Sequence, residues 1–388
     1  MKMNRFITII TLCILAGAVS GVVSAYSTPE SIVAASKVYI SEVTYDPGAF
    51  FTGDTGTITV SVSNGNNNQS SVVNHVTFGD HNIRLTSTPY DSTTNIGPLQ
   101  TQQFIFSVAA DSLEGTYYPT FSMSFRDADS LYQRAMVQID NTPLELTIID
   151  KPDAFTQGKK KTIYMQVANP RKNNVRNVIL EVTGESINAS PSRTFIGDLA
   201  SGAKIPVNFS VTPDKETPIA LTLMYDNGDN PHEVAMSIPV TFGTDKKQAD
   251  PVMSNVVVRT EGTIYHVTGD VNNAGLETAN TVTVTVLSPG VPQDPYKTYV
   301  VGALKSDDFG SFEVTFSTDT HVTSVPVQLT YKDSDGNIYN SVQNVEIPST
   351  SLNTQKSDGL PLVPILAGLV IVAIFIGGWF VYLRKNKK

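Results

Sequence analysis

The residue types best suited to chemistry lie in one short turn in the last third of the chain. Asp333, Asp335 and Asn337 alternate there with a serine and a glycine. Hard cations such as Ca²⁺ bind several carboxylate and carbonyl oxygens at a turn of this kind. The spacing of a complete calcium loop is absent, and an Asp-Gly hairpin turn between two strands explains the same residues without an ion. We therefore predict no cofactor and keep calcium at this turn as the alternative.

Motifs for catalysis are missing from the sequence. The histidines are His75, His81, His232, His266 and His321. Their spacing is not typical of a zinc site. There is no G-x-S-x-G motif and no phosphate-binding glycine loop, and the single cysteine lies in an N-terminal segment that we expect to be removed. We predict that the protein is not an enzyme.

Three sequons are candidates for N-glycosylation: Asn68, Asn188 and Asn208 are each followed two residues later by serine. In an exported chain such an asparagine can accept a glycan. Asn208 lies between two inward-facing apolar residues of an alternating stretch, so its side chain is expected to face solvent. The alternative is chance occurrence in a chain rich in asparagine and serine.

The longest apolar run lies near the C-terminus. Residues 362–383 contain no charged side chain and precede a basic tail, 384–388. A helix of this length covers roughly 33 Å, enough to cross a bilayer core. We predict a transmembrane helix over 360–383 with its basic end in the cytoplasm. A sorting signal for transfer to a wall or lipid carrier is the alternative, although its known sequence marks are absent. The predicted membrane-anchor residues are Trp379, Tyr382, Arg384 and Lys385.

The N-terminal residues 1–25 have the pattern of a cleaved signal peptide. Lys2 and Arg5 precede an apolar run, and small residues lead up to Ala25. A retained N-terminal anchor is the alternative. Together with the basic tail, this pattern predicts a single-pass protein of the cell membrane whose N-terminus and ectodomain lie on the cell surface.

The expected ectodomain is acidic and contains no cysteine. It carries 21 basic and 36 acidic residues, a net charge of −15. Because its net charge is strongly negative, it lacks the excess of basic charge that neutralises phosphates, and we exclude nucleic acid as a partner. Without disulfides, its stability must come from domains large enough to bury their own cores.

Apolar and polar residues alternate along much of the ectodomain. Clear examples are 57–62, 205–211 and 281–286. This period of two predicts half-buried strands, and no convincing helical stripe occurs outside the two terminal segments. The predicted fold class is all-β.

A longer repeat divides the ectodomain into three parts. A hydrophobe-Gly-x-Leu mark occurs at 96–99, 196–199 and 301–304, with spacings of 100 and 105 residues. An alternating strand follows each mark, then an aromatic residue before an acidic turn, and an asparagine turn precedes each mark. The aromatic residues are Phe125, Tyr225 and Tyr331, and the asparagines are Asn64, Asn169 and Asn273.

Repeats of about 100 residues with roughly seven strands each fit immunoglobulin-like β-sandwiches, in which inward residues of two sheets form one core. Short linkers between them favour a semi-rigid rod. The predicted organisation is a signal peptide at 1–25, sandwiches at 37–143, 144–243 and 250–347, a stalk at 348–359, a transmembrane helix at 360–383 and a cytoplasmic tail at 384–388.

These marks resemble the tandem immunoglobulin-fold cell-surface proteins of archaea and bacteria described as S-layer-like or adhesion-related (CARDB-like) repeats. The similarity rests on the V-x-N-x-G turn at 271–275, on Asn177-Val178, on the I-G-x-L mark and on the closing turn at 331–337. It covers most of 37–347 and is weakest in the first repeat. The resemblance implies a sandwich fold and a cell-surface location, and it implies no particular activity.

The predicted function is that of a membrane-anchored envelope or adhesion protein. It would present a rod of three sandwiches for contact with proteins or glycans, including envelope or S-layer proteins. The alternative is an extracytoplasmic accessory subunit of a membrane transporter, similar to an ABC exporter, with the permease as its partner. A glycan-binding or hydrolytic ectodomain is a third interpretation.

Overall fold

The computed structural model describes residues 29–319, 321–348 and 376–379. Over these residues the chain consists mainly of antiparallel strands arranged in several sheets, which confirms the predicted all-β class. The chain divides into two compact units, Met1–Lys247 and Gln248–Lys388. The described part of the first unit contains two hydrophobic cores, and that of the second contains one.

The first sandwich begins with a short helix. Its elements are α1 (Pro29–Ser36), β1 (Val38–Asp46), β2 (Thr55–Asn64), β3 (Ser71–Gly79), β4 (Ile83–Leu85), β5 (Thr94–Ile96), β6 (Thr101–Ala110), β7 (Gly115–Tyr117), β8 (Thr120–Phe125), β9 (Leu131–Arg134) and β10 (Val137–Ile139). One sheet has the order β1-β2-β6-β4 and the other the order β5-β3-β8-β9, while β7 pairs with β10. The two four-stranded sheets enclose the first core.

Alternation along the strands produces this core. On β2 and β6, the inward residues Val60, Val62, Phe104 and Phe106 are almost completely buried. Burying a side chain of this size stabilises a fold by about 1.5–3 kcal/mol. The period of two read from the sequence is therefore the pattern that places one face of each sheet inside.

Helix α1 departs from the prediction of an ectodomain without helices. The carbonyl of Ala34 in this helix accepts hydrogen bonds from Asn66 Nδ2 and Ser71 Oγ, both at 2.9 Å. Ser31 Oγ donates to the carbonyl of Asp127 at 2.7 Å. A helix of eight residues is too short to be stable alone, and these tertiary contacts stabilise it.

The second sandwich completes the first unit. Its strands are β11 (Glu145–Asp150), β12 (Lys161–Ala168), β13 (Val175–Thr183), β14 (Ile187–Ser190), β15 (Arg193–Leu199), β16 (Lys204–Pro213), β17 (Ile219–Asn227) and β18 (Asn230–Ile238). The sheets have the orders β11-β12-β16-β14 and β15-β13-β17-β18. They enclose the second core.

The second unit contains the third sandwich. Its strands are β19 (Pro251–Glu261), β20 (Ile264–Asn273), β21 (Ala279–Val286), β22 (Val291–Pro292), β23 (Thr298–Leu304), β24 (Phe309–Ser317), β25 (Ser324–Lys332) and β26 (Ile338–Glu346). The sheets have the orders β19-β20-β24-β22 and β23-β21-β25-β26, which repeat the topology of the second sandwich strand for strand. Each has eight strands where roughly seven were predicted, because a short edge strand, β14 or β22, joins the first sheet.

The glycine of the hydrophobe-Gly-x-Leu mark has a conformational role in these two sandwiches. Gly197 and Gly302 have φ values of +87° and +103°, which L side chains rarely adopt. Each lies opposite Val178 or Val282 where the strand register shifts by a bulge. The hydrophobe-Gly-x-Leu mark therefore corresponds to the same bend in the equivalent strand of the second and third sandwiches.

No helix among the described residues is long and apolar enough to cross a bilayer. Residues 376–379 are helical and lie within the predicted transmembrane helix at 360–383. The rest of that helix lies outside the described residues, as do the signal peptide at 1–25, most of the stalk and the tail at 384–388.

Candidate functional site

Each sandwich contains one buried asparagine at the same position, and we call these residues the corner asparagines. Asn64, Asn169 and Asn273 are each at most 2% exposed. Asn169 Nδ2 donates to the carbonyl of Leu199 at 3.0 Å, and its Oδ1 accepts from the backbone N–H of Arg171 at 3.0 Å. Asn64 and Asn273 make equivalent bonds in their own sandwiches. Because both ends of each amide are bonded, these polar side chains can be buried without loss of hydrogen bonds.

The residue two positions after each corner asparagine contacts a segment that precedes the sheets of its sandwich. Asn66 donates to Ala34 of α1. Gly275 lies against the segment entering the third sandwich, so close that a Cβ would be 2.2 Å from the carbonyl oxygen of Gln248. Arg171 extends out of the second sandwich into the first. The fold is thus constant at this corner, while the residue type varies with the contacted segment.

Arg171 is the largest fully buried side chain among the described residues, at 1% exposure. Its Nη1 donates to the carbonyls of Asp140 and Thr142, both at 2.7 Å, and its Nη2 donates to the carbonyl of Ala49 at 3.1 Å. The guanidinium carbon lies 3.8 Å from the centroid of the Phe51 ring. A planar guanidinium can donate in several directions and stack on an aromatic ring at the same time. One side chain therefore joins three backbone carbonyls, from two segments of the first sandwich, to the second sandwich.

Asp54 of the first sandwich is a buried acceptor for side chains of the second sandwich, and it is 4% exposed. Its Oδ2 accepts from the backbone N–H of Phe51 at 2.9 Å and from Asn227 Nδ2 at 2.7 Å. Its Oδ1 lies 3.0 Å from His232 Nε2. The Asn227 amide also donates to the carbonyl of Ala49 at 2.9 Å. We call four of the side chains that connect the two sandwiches the junction network: Asp54, Arg171, Asn227 and His232.

Close packing surrounds this network. The His232 ring lies between Phe51 and Tyr225, with centroid separations of 4.0 and 5.7 Å. Although Phe51 belongs to the first sandwich, it packs into the core of the second. Gly228, with a φ of +63°, approaches Pro47 so closely that a Cβ would lie 2.9 Å from its Cδ. The two sandwiches of the first unit therefore share both apolar and polar contacts.

The electrostatics of the junction follow from burial. Burial lowers the pKa of the Arg171 guanidinium, and the nearby charge of Asp140 opposes this shift. Burial also disfavours the charged form of the Tyr225 phenol and so raises its pKa. Arginine is not deprotonated in proteins at neutral pH, so the Arg171 guanidinium keeps its charge. The junction therefore holds a permanent buried cation whose donors face backbone carbonyls.

A polar cleft of about 560 Å³ opens beside the junction network. Arg176 Nη2 donates there to both carboxylate oxygens of Asp46, at 2.7 and 2.8 Å. This hydrogen bond and the charge of Asp46 raise the pKa of Arg176. Both side chains are about half exposed, so the pair is screened by solvent and contributes little to stability. The cleft is lined by residues that include Asp46, Gly48, Asn173, Arg176, Asp198 and Gly228.

The arrangement is suited to joining domains. Within the described parts of the chain, no group of three or more His, Cys, Asp or Glu side chains could hold a metal ion. His232 is bonded to a buried carboxylate and its ring is packed between two other rings. Within the same parts, every buried side-chain nitrogen and oxygen has a hydrogen-bond partner. The polar groups of the junction are thus used in holding two sandwiches together.

The predicted calcium turn lies between β25 and β26. Asp333 is 3% exposed, and its Oδ1 accepts from the backbone N–H of Asn337 at 2.8 Å. Its Oδ2 accepts from Asn337 Nδ2 at 2.8 Å and from the Tyr339 hydroxyl at 3.3 Å. Asp335 is partly exposed in the same turn. Protein donors thus bond both carboxylate oxygens of Asp333 as a hairpin turn requires, and calcium remains a prediction.

The three sequon asparagines are all exposed, in different settings. Asn68 lies in the loop between β2 and β3, Asn188 on the edge strand β14, and Asn208 on the inner strand β16. Of the predicted membrane-anchor residues, Trp379 is 70% exposed in the helical segment. The other three, Tyr382, Arg384 and Lys385, lie outside the described residues.

Comparison with known proteins gives one sequence relative. No protein-family profile matches this chain. An uncharacterized protein of Methanocaldococcus jannaschii, MJ0795, is 25% identical over 258 residues, which are 65% of this chain and 49% of that protein. The chain therefore spans about half the length of the curated relative it matches.

Among solved structures, red sea bream transglutaminase is similar over 53% of this chain and 31% of that chain, with 12% identity and a TM-score of 0.22. A similarity this weak carries no argument about fold or activity.

The residues of the junction network were not predicted from the sequence, although Arg171 lies only two residues after the asparagine turn at Asn169. One signal was available, because aligning the repeats on their asparagines places Asn66, Arg171 and Gly275 at one position. Three such different residues at an otherwise regular turn indicate a position that is specific to each sandwich.

Proposed function

We propose that this protein is a membrane-anchored surface scaffold of the envelope or adhesion type, which presents immunoglobulin-like sandwiches for contact with other proteins or glycans. The observation that carries the proposal is the junction network, in which a buried arginine and a buried aspartate join two sandwiches. Domains of one chain usually move relative to each other unless their interface is extensive. A fixed pair of sandwiches holds its surfaces at a set spacing, as a scaffold requires.

The fold supports the same proposal. Two antiparallel four-stranded sheets packed around one core are the plan of immunoglobulin-like modules, which commonly occur on cell surfaces. The buried polar side chains Asp54, Arg171 and Asn227 lie between the two sandwiches of the first unit. A surface location is inferred from the sequence of the two ends of the chain, with the apolar run at 362–383 as the anchor.

The test is chemical cross-linking of intact source cells, followed by mass spectrometry of peptides joined to the first unit. We expect links to envelope proteins or to other copies of this chain. Links mainly to a polytopic permease would overturn the scaffold proposal and favour a transporter accessory subunit. Arg171→Ala, which loosens the junction, should broaden the set of cross-linked lysine pairs within the first unit, and the surface variant Lys172→Ala should not.

A further inference from the structure

A second cleft lies on the solvent-facing side of the β11-β12-β16-β14 sheet and differs in character from the cleft at the junction. Its volume is about 630 Å³, and its exposed surface is largely apolar. Ile149 and Tyr164 are 61% and 48% exposed there. Contiguous exposed apolar surface on a soluble domain commonly marks a binding site. The lining residues of this apolar groove include Ile149, Tyr164, Pro191, Thr194, Pro206 and Asn208.

The groove contains the asparagine of a sequon. Asn208 on β16 lies directly opposite Tyr164 on β12 in the strand register. Side chains opposite each other on one face of an antiparallel pair have Cβ atoms about 4.5–5.5 Å apart. A group attached to the amide nitrogen of Asn208 would therefore begin beside the Tyr164 ring. This placement links the groove to a covalent occupant.

We propose that Asn208 carries an N-linked glycan whose first sugars lie in the apolar groove against Tyr164 and Pro206. The proposal rests on the proposed function, because the glycan is added only to an exported chain. The donor is a lipid-phosphate-linked oligosaccharide. The Asn208 amide nitrogen forms a bond to the anomeric carbon, the bond between that carbon and the phosphate oxygen breaks, and the released phosphate takes the amide proton.

The chemistry of a sugar ring suits this groove. One face of a pyranose presents mainly C–H groups, which can pack on a tyrosine ring or a proline, while the hydroxyls remain hydrated. Covering the groove removes apolar surface from water, and about 25 cal/mol is gained for each Å² so removed. The other two sequon asparagines do not line this groove. Glycans there would project into solvent, so only the Asn208 glycan is expected to stabilise the fold.

The order of events also follows from the structure. Ser210 is the hydroxyl residue of the sequon. In the folded sheet its Oγ lies 3.0 Å from Thr162 Oγ1. Strand β16 is bonded on both sides, to β12 and to β14. A transferase that binds the sequon as an extended segment can bind it only before β16 pairs with its neighbours. Modification of Asn208 therefore precedes folding of the second sandwich.

The first measurement is glycopeptide mass spectrometry of the full chain purified from its own membranes, combined with protease treatment of intact cells. We expect a hexose- or hexosamine-bearing Asn208 peptide and release of ectodomain peptides from intact cells. An unmodified Asn208 overturns the inference. If ectodomain peptides are released in that case, the proposed surface location stands, and if none are released, both proposals fail.

The second measurement tests the contact between sugar and ring with a cycle of variants: Asn208→Gln, Tyr164→Ser and the double variant, each produced in the source organism. Removing the glycan should lower the Tm of the first unit by about 2 °C or more when Tyr164 is present, and by less in Tyr164→Ser. Asn68→Gln, which removes an exposed loop sequon, is the matched control and should leave Tm unchanged. Equal shifts with and without Tyr164 would place the glycan outside the groove and overturn the inference.

Discussion

The second and third sandwiches share a strand order and a corner asparagine, and they differ two residues later, at Arg171 and Gly275. In the second sandwich the arginine extends to carbonyls of the preceding sandwich. In the third, a glycine allows the backbone at Gln248 to approach within a distance that no side chain permits. One position of a repeated fold thus makes a long polar contact in one copy and a close backbone contact in the other.

The difference shows how tandem domains can vary without a change of fold. The corner asparagine satisfies the local backbone in every sandwich, so that requirement is constant. The residue two positions after the corner asparagine faces the chain segment that leads into the sandwich, and its size and charge match that segment. Three predictions test this comparison, and one concerns the closing turn of the third sandwich.

The largest effect is expected from Arg171→Ala. The variant removes the Arg171 donor from the carbonyls of Asp140 and Thr142 and opens a cavity next to Phe51. Unsatisfied buried acceptors cost about 1–3 kcal/mol each, so we expect a loss of about 3–5 kcal/mol in the unfolding free energy of the first unit. Calorimetry should show the transition of this unit splitting in two. Lys172→Ala, at the exposed neighbour, is the control, and an unsplit transition in Arg171→Ala would contradict a shared junction.

A smaller effect is expected from Gly275→Ala. The new Cβ would meet Gln248 O at 2.2 Å and Asp250 N at 2.4 Å, and both are backbone atoms that cannot rotate away. Overpacking of this kind costs about 1–3 kcal/mol. We expect denaturant unfolding of the second unit to shift to lower concentration while the first unit, as an internal control, keeps its midpoint. A variant as stable as the parent would show that the approach of this segment is not fixed.

The third prediction concerns alkaline pH and the turn of the third sandwich. Burial, reinforced by the charge of Asp333, raises the pKa of Tyr339 well above its usual range. Below pH about 10 the phenol is neutral in both states and its contribution is intact. Above that value the unfolded chain ionises first, so stability falls as pH rises. Tyr339→Phe should weaken this fall in the Tm of the second unit between pH 9 and pH 11, and the exposed Tyr296→Phe should leave it as steep.

The smallest effect is expected from Arg176→Ala. This arginine also crosses the junction, to Asp46, and both side chains are about half exposed. Exposed ion pairs contribute about 0–1 kcal/mol and less at high salt. Urea unfolding should therefore give a midpoint close to that of the parent, in contrast with Arg171→Ala. A loss comparable to that of Arg171→Ala would mean that the cleft, and not the buried network, carries the junction.

Much of the fold could be predicted from local patterns. Alternation at 57–62, 205–211 and 281–286 falls on strands of the structure, and the recurring aromatic and asparagine marks occupy equivalent buried positions. Helix α1 could not be predicted, because the hydrogen bonds from Asn66 and Ser71 that hold it come from elsewhere in the chain.

The sequence by itself determined which residues point inward, because the period of two in a strand is a local property of the backbone. It also determined where the repeated turns lie and which asparagines can carry glycans. Only the tertiary structure decided that Arg171 and Asp54 are buried, since Arg171 bonds Ala49 and Asp54 bonds Asn227, in each case more than a hundred residues away. The groove beside Asn208 also exists only once β12 and β16 pair, because a surface between strands is a property of their register.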